Sequence, residues 1–385
     1  MRYNFDKPIE RENTNCLKYD SRELIFKNSD VLPMWIADMD IAIPDFIIDA
    51  VKQRANHPVY GYSFFSEQFY SNFIDWMYRQ HGIKIEKEWI CFSPGVVPAI
   101  NMLVLTFSQP NDKIIIQPPV YPPFFSAISD HHRIISENPL VCNGTKYIMD
   151  YEDLKVKIDF NTRMIILCNP HNPVGRAWKK EELEQMLAVC EKNNITIISD
   201  EIHSDLICRS HRHTSMLSLT DKAVACFSPS KTFNLAGMST SYIVIPDKEM
   251  REKYLATVNG LHIAYGNLFG SVATETAYGK GKDWYLQVWE YLQDNMDYVI
   301  DFCKKNIPKI KIIRPEATYL LWLDCRNITT SAEELQEIFV QRLHLGLNNG
   351  IEFGAVGEGF MRMNVACPRQ TLEFAMQRLS LLNEL

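Results

Sequence analysis

The chain has 385 residues, of which 46% are hydrophobic and 23% charged, with a formal net charge of −7. A length above that of one ordinary domain predicts a large domain plus a smaller one, and the ordinary soluble composition excludes a long disordered region. Basic residues never run longer than a pair, no apolar stretch approaches bilayer-spanning length, and residues 1–6 lack the apolar core of a signal peptide, so neither a nucleic-acid nor a membrane partner is expected and a cytoplasmic protein is.

In chain order, Leu32-Pro33-Met34-Trp35-Ile36 reads as extended, and a first helix follows near residues 44–55. Short apolar runs rich in β-branched residues then recur at 89–92, 113–117, 164–168, 196–199, 223–227 and 242–245. Most are almost continuously hydrophobic, the pattern of buried parallel strands. Between them, residues 179–192 place Leu183, Met186, Leu187 and Cys190 on one helical face with charges opposite. From residue 284 to about 302 a long amphipathic helix is predicted, and alternating strands and helices follow to the C-terminus. The expected architecture is α/β: a large domain over 46–283 with a mostly parallel central sheet flanked by helices, and a smaller α/β domain made of 1–45 and 284–385.

Open α/β sheets bind ligands at the carboxyl ends of their strands. Here those ends carry chemistry: Ser93-Pro94-Gly95-Val96-Val97-Pro98, Pro118-Pro119-Val120-Tyr121, Asn169-Pro170-His171-Asn172-Pro173-Val174-Gly175, Asp200-Glu201-Ile202-His203 and Ser228-Pro229-Ser230-Lys231. Turn formers, a carboxylate, an amide, hydroxyls, an aromatic ring and a lysine on one edge describe a cofactor crevice. By contrast, the 10 scattered cysteines form no Cys-x-x-Cys pair, and His131-His132 and His211-Arg212-His213 lack acidic or thiol companions at ligand spacing, so no metal is proposed.

Lysine is the side chain that forms imines with aldehydes, and burial lowers its pKa toward that of a useful base. Lys231 follows a buried strand between serines and an uncharged stretch, and is read as the Schiff-base lysine of pyridoxal 5'-phosphate (PLP). That cofactor accepts electrons from an amino acid's α-carbon only while its ring nitrogen stays protonated, so a buried carboxylate must face the nitrogen. Asp200 is the candidate and Glu201 the fallback. Asn172 and His203 suit the phenolic oxygen, and Tyr121 the ring face. The phosphate needs N–H groups at a helix start, which Gly95, Val96 and Val97 supply, with Ser228 and Ser230 adding hydroxyls. Arg362, in the apolar run Phe360-Met361-Arg362-Met363, suits a bidentate grip on a substrate α-carboxylate.

Assembled, these residues resemble the fold-type I PLP enzymes, and within them the cystathionine β-lyase or carbon–sulfur lyase branch of the class I/II aminotransferase family. The resemblance covers nearly the whole chain. Its most specific stretches are Pro33-Met34-Trp35-Ile36-Ala37-Asp38-Met39-Asp40, Tyr60-Gly61-Tyr62, Pro119-Val120-Tyr121-Pro122-Pro123-Phe124, Asn169-Pro170-His171-Asn172-Pro173-Val174-Gly175-Arg176, Ser199-Asp200-Glu201-Ile202-His203, Ser228-Pro229-Ser230-Lys231-Thr232-Phe233-Asn234 and Gly357-Glu358-Gly359-Phe360-Met361-Arg362. The resemblance implies a PLP-dependent transferase-like fold, Lys231, Asp200 and Tyr121 as catalytic residues, and a substrate site at Arg362, Asn172, Trp35, Ile36 and Ala37. It also implies a homodimer in which Tyr62, with Tyr60 as the alternative, reaches the neighbouring subunit's phosphate. The wider aminotransferase pattern has a tyrosine where His203 stands and an arginine at the phosphate where Ser239 stands; both departures suit the lyase branch.

The activity this implies is cleavage of L-cystathionine or a related cysteine conjugate to pyruvate, ammonia and a thiol, a reaction of methionine biosynthesis. A transaminase would use the same lysine and is the alternative. A non-catalytic regulatory protein is a third, but such a relative would be free to lose Lys231, Asp200 or Arg362, and all are present.

Overall fold

The computed structural model describes residues 2–144 and 146–384. Among them, a seven-stranded sheet runs in the spatial order Ile90–Ser93, Ser241–Val244, Ala223–Phe227, Thr196–Asp200, Thr162–Cys168, Lys113–Ile116, Ile134–Glu137. Neighbouring strands are parallel from Ala223–Phe227 onward to Ile134–Glu137. The expectation of a parallel strand at 242–245 is corrected: Ser241–Val244 is antiparallel to both its neighbours. The physical reason lies in the connection before it. Residues 228–240 are spent on the short helix Pro229–Thr232 and the turn Ala236–Met238. They carry no long crossover helix, so the chain never returns to the far end of the sheet and re-enters in the opposite direction.

The near-continuous hydrophobicity of the strands follows from burial on both faces. Side chains alternate across a strand, so Ile114, Ile116, Met164 and Ile166 pack on one face while Ile115, Ile165 and Leu167 pack on the other. Helix Val96–Phe107 covers the first face with Ala99, Ile100 and Leu103; helix Lys180–Lys192 covers the second with Leu183, Met186 and Leu187.

Helix Lys282–Asn306 is long and amphipathic, with Trp284, Val288, Leu292, Met296, Val299 and Cys303 inward. It leads to an antiparallel sheet ordered Lys311–Ile312, Leu320–Asp324, Phe360–Asn364, Asn348–Asn349. The N-terminal strand Leu32–Pro33 pairs in parallel with Leu345–Gly346, which brings Trp35, Ile36 and Ala37 beside Arg362. Among the described residues, no helix is long and apolar enough to cross a membrane.

Candidate active site

The carboxyl ends of the central strands, the segment Trp35–Ala37 and the strand carrying Arg362 enclose a cavity of about 320 Å³. Gly95, Val96, Val97, Tyr121, Asn172, Asp200, His203, Ser228, Ser230, Lys231, Trp35, Ile36, Ala37 and Arg362 all line it. Tyr62 does not; it is 99% exposed, with its ring 6.2 Å from that of Tyr265. Tyr60 is tied to its own chain, donating to the Ala55 carbonyl at 2.7 Å.

One end of the cavity is built for an anion. Gly95 caps helix Val96–Phe107 with a φ of 150°, and a Cβ there would sit 3.2 Å from Pro98 Cδ, so the glycine lets the helix start abruptly at the cavity wall. The unpaired N–H groups of the first turn carry partial positive charge. Ser228 caps the helix that holds Lys231, accepting from Ser230 N at 3.2 Å and donating to the Thr240 carbonyl at 2.8 Å. Ser239, Thr240 and Ser241 complete this wall, and Ser241 Oγ is buried without a hydrogen-bond partner.

Three ionisable groups line the same cavity. Burial pushes the Asp200 carboxyl up to about 7, although the Ile202 N–H, donating at 3.1 Å, and the Lys231 charge both pull it down. Lys231 Nζ donates to the Ala37 carbonyl at 2.7 Å, and burial lowers the amine to about 8 against the pull of Asp38 and Asp200. Arg362 is buried and lowered to about 10 for the same reason. Its Nη1 donates to Asn172 Oδ1 at 3.1 Å, and its Nη2 donates to the Trp35 carbonyl and to Asn348 Oδ1, both at 2.6 Å. Its guanidinium stacks on Phe353, 4.9 Å from the ring centre.

Orphaned polar atoms show that the wall is built around something. Arg362 Nε and His203 Nδ1 are buried with no hydrogen-bond partner, and burial holds the His203 imidazole well below its usual range. A planar ring with an anionic tail fits the remaining donors. Asp200 suits a ring nitrogen and Tyr121 a ring face. The helix start suits the tail, and Asn172, whose side-chain oxygen is spent on Arg362, offers Nδ2–H to a phenolic oxygen. Glu201, the fallback for the ring nitrogen, is turned away: its carboxylate takes hydrogen bonds from Ser199 Oγ, Met216 N and the His213 ring.

Sequence reasoning missed Asn348, because an asparagine in a two-residue strand has no local signature. It also missed the role of the Ala37 and Trp35 carbonyls, which are backbone groups carried by every residue. A signal existed at Asp38 and Asp40, two acids in an otherwise apolar segment.

A lysine, a buried carboxylate and a buried arginine around one crevice at the strand ends suit an enzyme that processes amino acids through a carbonyl cofactor. The chain belongs to the class I and II aminotransferase family, whose model, aminotransferase class I and II, matches residues 30–379. It is 40% identical to cystathionine beta-lyase PatB of Bacillus subtilis over 381 residues, 98% of each chain. A PLP-bound putative aminotransferase from Clostridium difficile superposes with a TM-score of 0.97 at 42% identity, covering 99% of this chain and 100% of that one. Cystalysin from Treponema denticola, whose crystal structure contains a pyridoxal 5'-phosphate cofactor, superposes with a TM-score of 0.96 at 33% identity, covering 100% and 99%.

Proposed function

We propose that this chain is a PLP-dependent carbon–sulfur β-lyase that cleaves L-cystathionine or a related cysteine conjugate to pyruvate, ammonia and a thiol, homocysteine in the case of cystathionine. The observation that carries the reading is that Lys231, Asp200 and Arg362 line one cavity, in a chain similar over nearly its whole length to a cystathionine β-lyase.

When bound, PLP supplies an aldehyde that condenses with amines and a ring that takes up the electrons released at the α-carbon. The chain's own groups do the rest. Lys231 would hold the cofactor through its amine and, with its basicity lowered, would take the α-proton at Nζ near neutral pH. Asp200, which lines the same cavity, would be the carboxylate that keeps the ring nitrogen protonated. Arg362 grips the α-carboxylate and fixes the α C–H bond, giving up one of its protein partners to do so. Trp35, Ile36 and Ala37 close the substrate side. As the C–S bond breaks with its electron pair on sulfur, the pair left at the α-carbon by the departed proton would form the Cα–Cβ double bond, and water would then give pyruvate and ammonia.

The same reading assigns residues 46–283 to the cofactor-binding domain, and 1–45 with 284–385 to the smaller one; the seven-stranded sheet falls wholly in the first span. It also assigns a homodimer. Tyr62 and Phe64 are 99% and 92% exposed, an aromatic surface that a second copy would cover, with Tyr62 reaching the neighbour's phosphate. The reading extends to a place in methionine biosynthesis, which the product supports, and in the cytoplasm, with which free cysteines are compatible.

The deciding assay feeds L-cystathionine with no oxo acid present and follows pyruvate and free thiol. Sustained turnover is expected. A strict need for an oxo-acid acceptor would make the protein a transaminase instead.

A further inference from the structure

Outside the cavity, a set of four paired charges lies in the N-terminal arm. Arg11 Nη2 meets Asp38 Oδ2 at 2.6 Å, and its Nη1 meets Asp38 Oδ1 at 3.1 Å and Asp40 Oδ1 at 2.5 Å. Lys18 Nζ lies 2.8 Å from Asp40 Oδ2 and 3.4 Å from Asp38 Oδ1, and its side chain is almost wholly buried. Two cations thus face two carboxylates. Charges leave water only when paired and hydrogen-bonded, so this quartet must form as a unit.

Its position gives it consequence. Asp38 directly follows Ala37, whose carbonyl accepts from Lys231, and lies three residues beyond Trp35, whose carbonyl accepts from Arg362. The Trp35 indole in turn donates to the carbonyl of Lys18 at 3.2 Å. One short segment therefore gives an acceptor to each of the two cations of the site, and the quartet anchors both of its ends.

We infer that Arg11, Lys18, Asp38 and Asp40 form a latch of positioning residues, which holds the Trp35 and Ala37 carbonyls against Arg362 and Lys231 and sets the charge that Lys231 meets. The inference rests on Lys231 being the cofactor-binding amine. Of the charges acting on that amine, Asp38 contributes most toward keeping it protonated, ahead of Asp200, while Arg362 acts the other way. Around the quartet stand Tyr19, whose ring lies 5.4 Å from the Arg11 guanidinium, Cys16, which accepts from Arg11 at 3.0 Å, and the buried Cys367 and Tyr319. Burial pushes the Asp38 carboxyl up, but its bonds to Arg11 and the Lys18 charge outweigh that and hold it below the usual range.

The test uses the full chain freed of cofactor and mixed with PLP across a pH series. The rate at which the bound cofactor's visible absorption appears follows the fraction of neutral amine. Asp38→Asn removes a negative charge and should move the midpoint of that profile down by about one pH unit. Arg11→Gln leaves Asp38 less neutralised and should move it up. Opposite shifts support the latch; shifts in one direction, or none, overturn it. Arg11 is partly exposed and its variant is the milder, so if Asp38→Asn unfolds, Arg11→Gln alone decides. A wild-type chain that takes up no PLP would instead refute Lys231 as the cofactor-binding amine, and the latch with it.

Discussion

The amine of Lys231 donates to the carbonyl of Ala37 at 2.7 Å, and so ties the end of a central strand to the N-terminal arm. One carbonyl is a weak counterpart for an ammonium group. With a folded value of about 8 against an ordinary 10.5, the unfolded chain binds more protons between those limits, so this group's contribution to stability rises as pH rises through that window. Lys231→Met should therefore stabilise the cofactor-free chain at pH 7 by about 1–2 kcal/mol, after allowance for the partly exposed side chain, while abolishing activity. Denaturant melts at pH 7 and pH 10 check this: the gain should shrink at the higher pH.

The role proposed for Asp200, holding a proton on the cofactor ring, is one that no neutral side chain replaces. Asp200→Asn keeps size and hydrogen bonding but cannot carry the negative charge. Turnover of L-cystathionine should fall roughly 10²–10³-fold while the protein still binds PLP. Steady-state kinetics beside the visible spectrum separates the two effects; unchanged turnover would remove Asp200 from the reaction.

Arg362 uses a planar fork to meet Asn172, Trp35 and Asn348 at once. Lysine keeps the charge but not the geometry. Arg362→Lys should raise KM for the amino acid roughly 10–100-fold, the worth of one or two charged hydrogen bonds, with a smaller change in kcat. Initial rates over a range of substrate concentrations give the split.

Tyr62 is 99% exposed in the single chain, so the role proposed for it requires a second copy. Tyr62→Ala should leave the melting temperature of the isolated fold unchanged and weaken PLP retention roughly tenfold, the loss of one hydrogen bond to a charged group. Cofactor titration and sedimentation measure both; retention equal to wild type would exclude Tyr62 from the phosphate.

Much of the site was legible because it is local. A strand buried on both faces must be apolar throughout, and the chain must turn as it leaves the sheet, so Asp200, Asn172 and Lys231 announce themselves as polar residues at the ends of such runs. The reversed strand Ser241–Val244 was not legible, because a buried strand reads alike in either direction and only the path of residues 228–240 decides it.

The sequence by itself determined the class of chemistry, through side-chain types at strand ends that hydrophobic periodicity locates. Only the tertiary structure decided which groups pair. It brought Arg11 and Lys18 to Asp38 and Asp40, and Arg362 to Asn348, and it gave the Trp35 and Ala37 carbonyls to the two cations of the site. The physical reason is that backbone acceptors are identical at every residue, and a charge's partner is set by where the folded chain removes water, not by spacing along it.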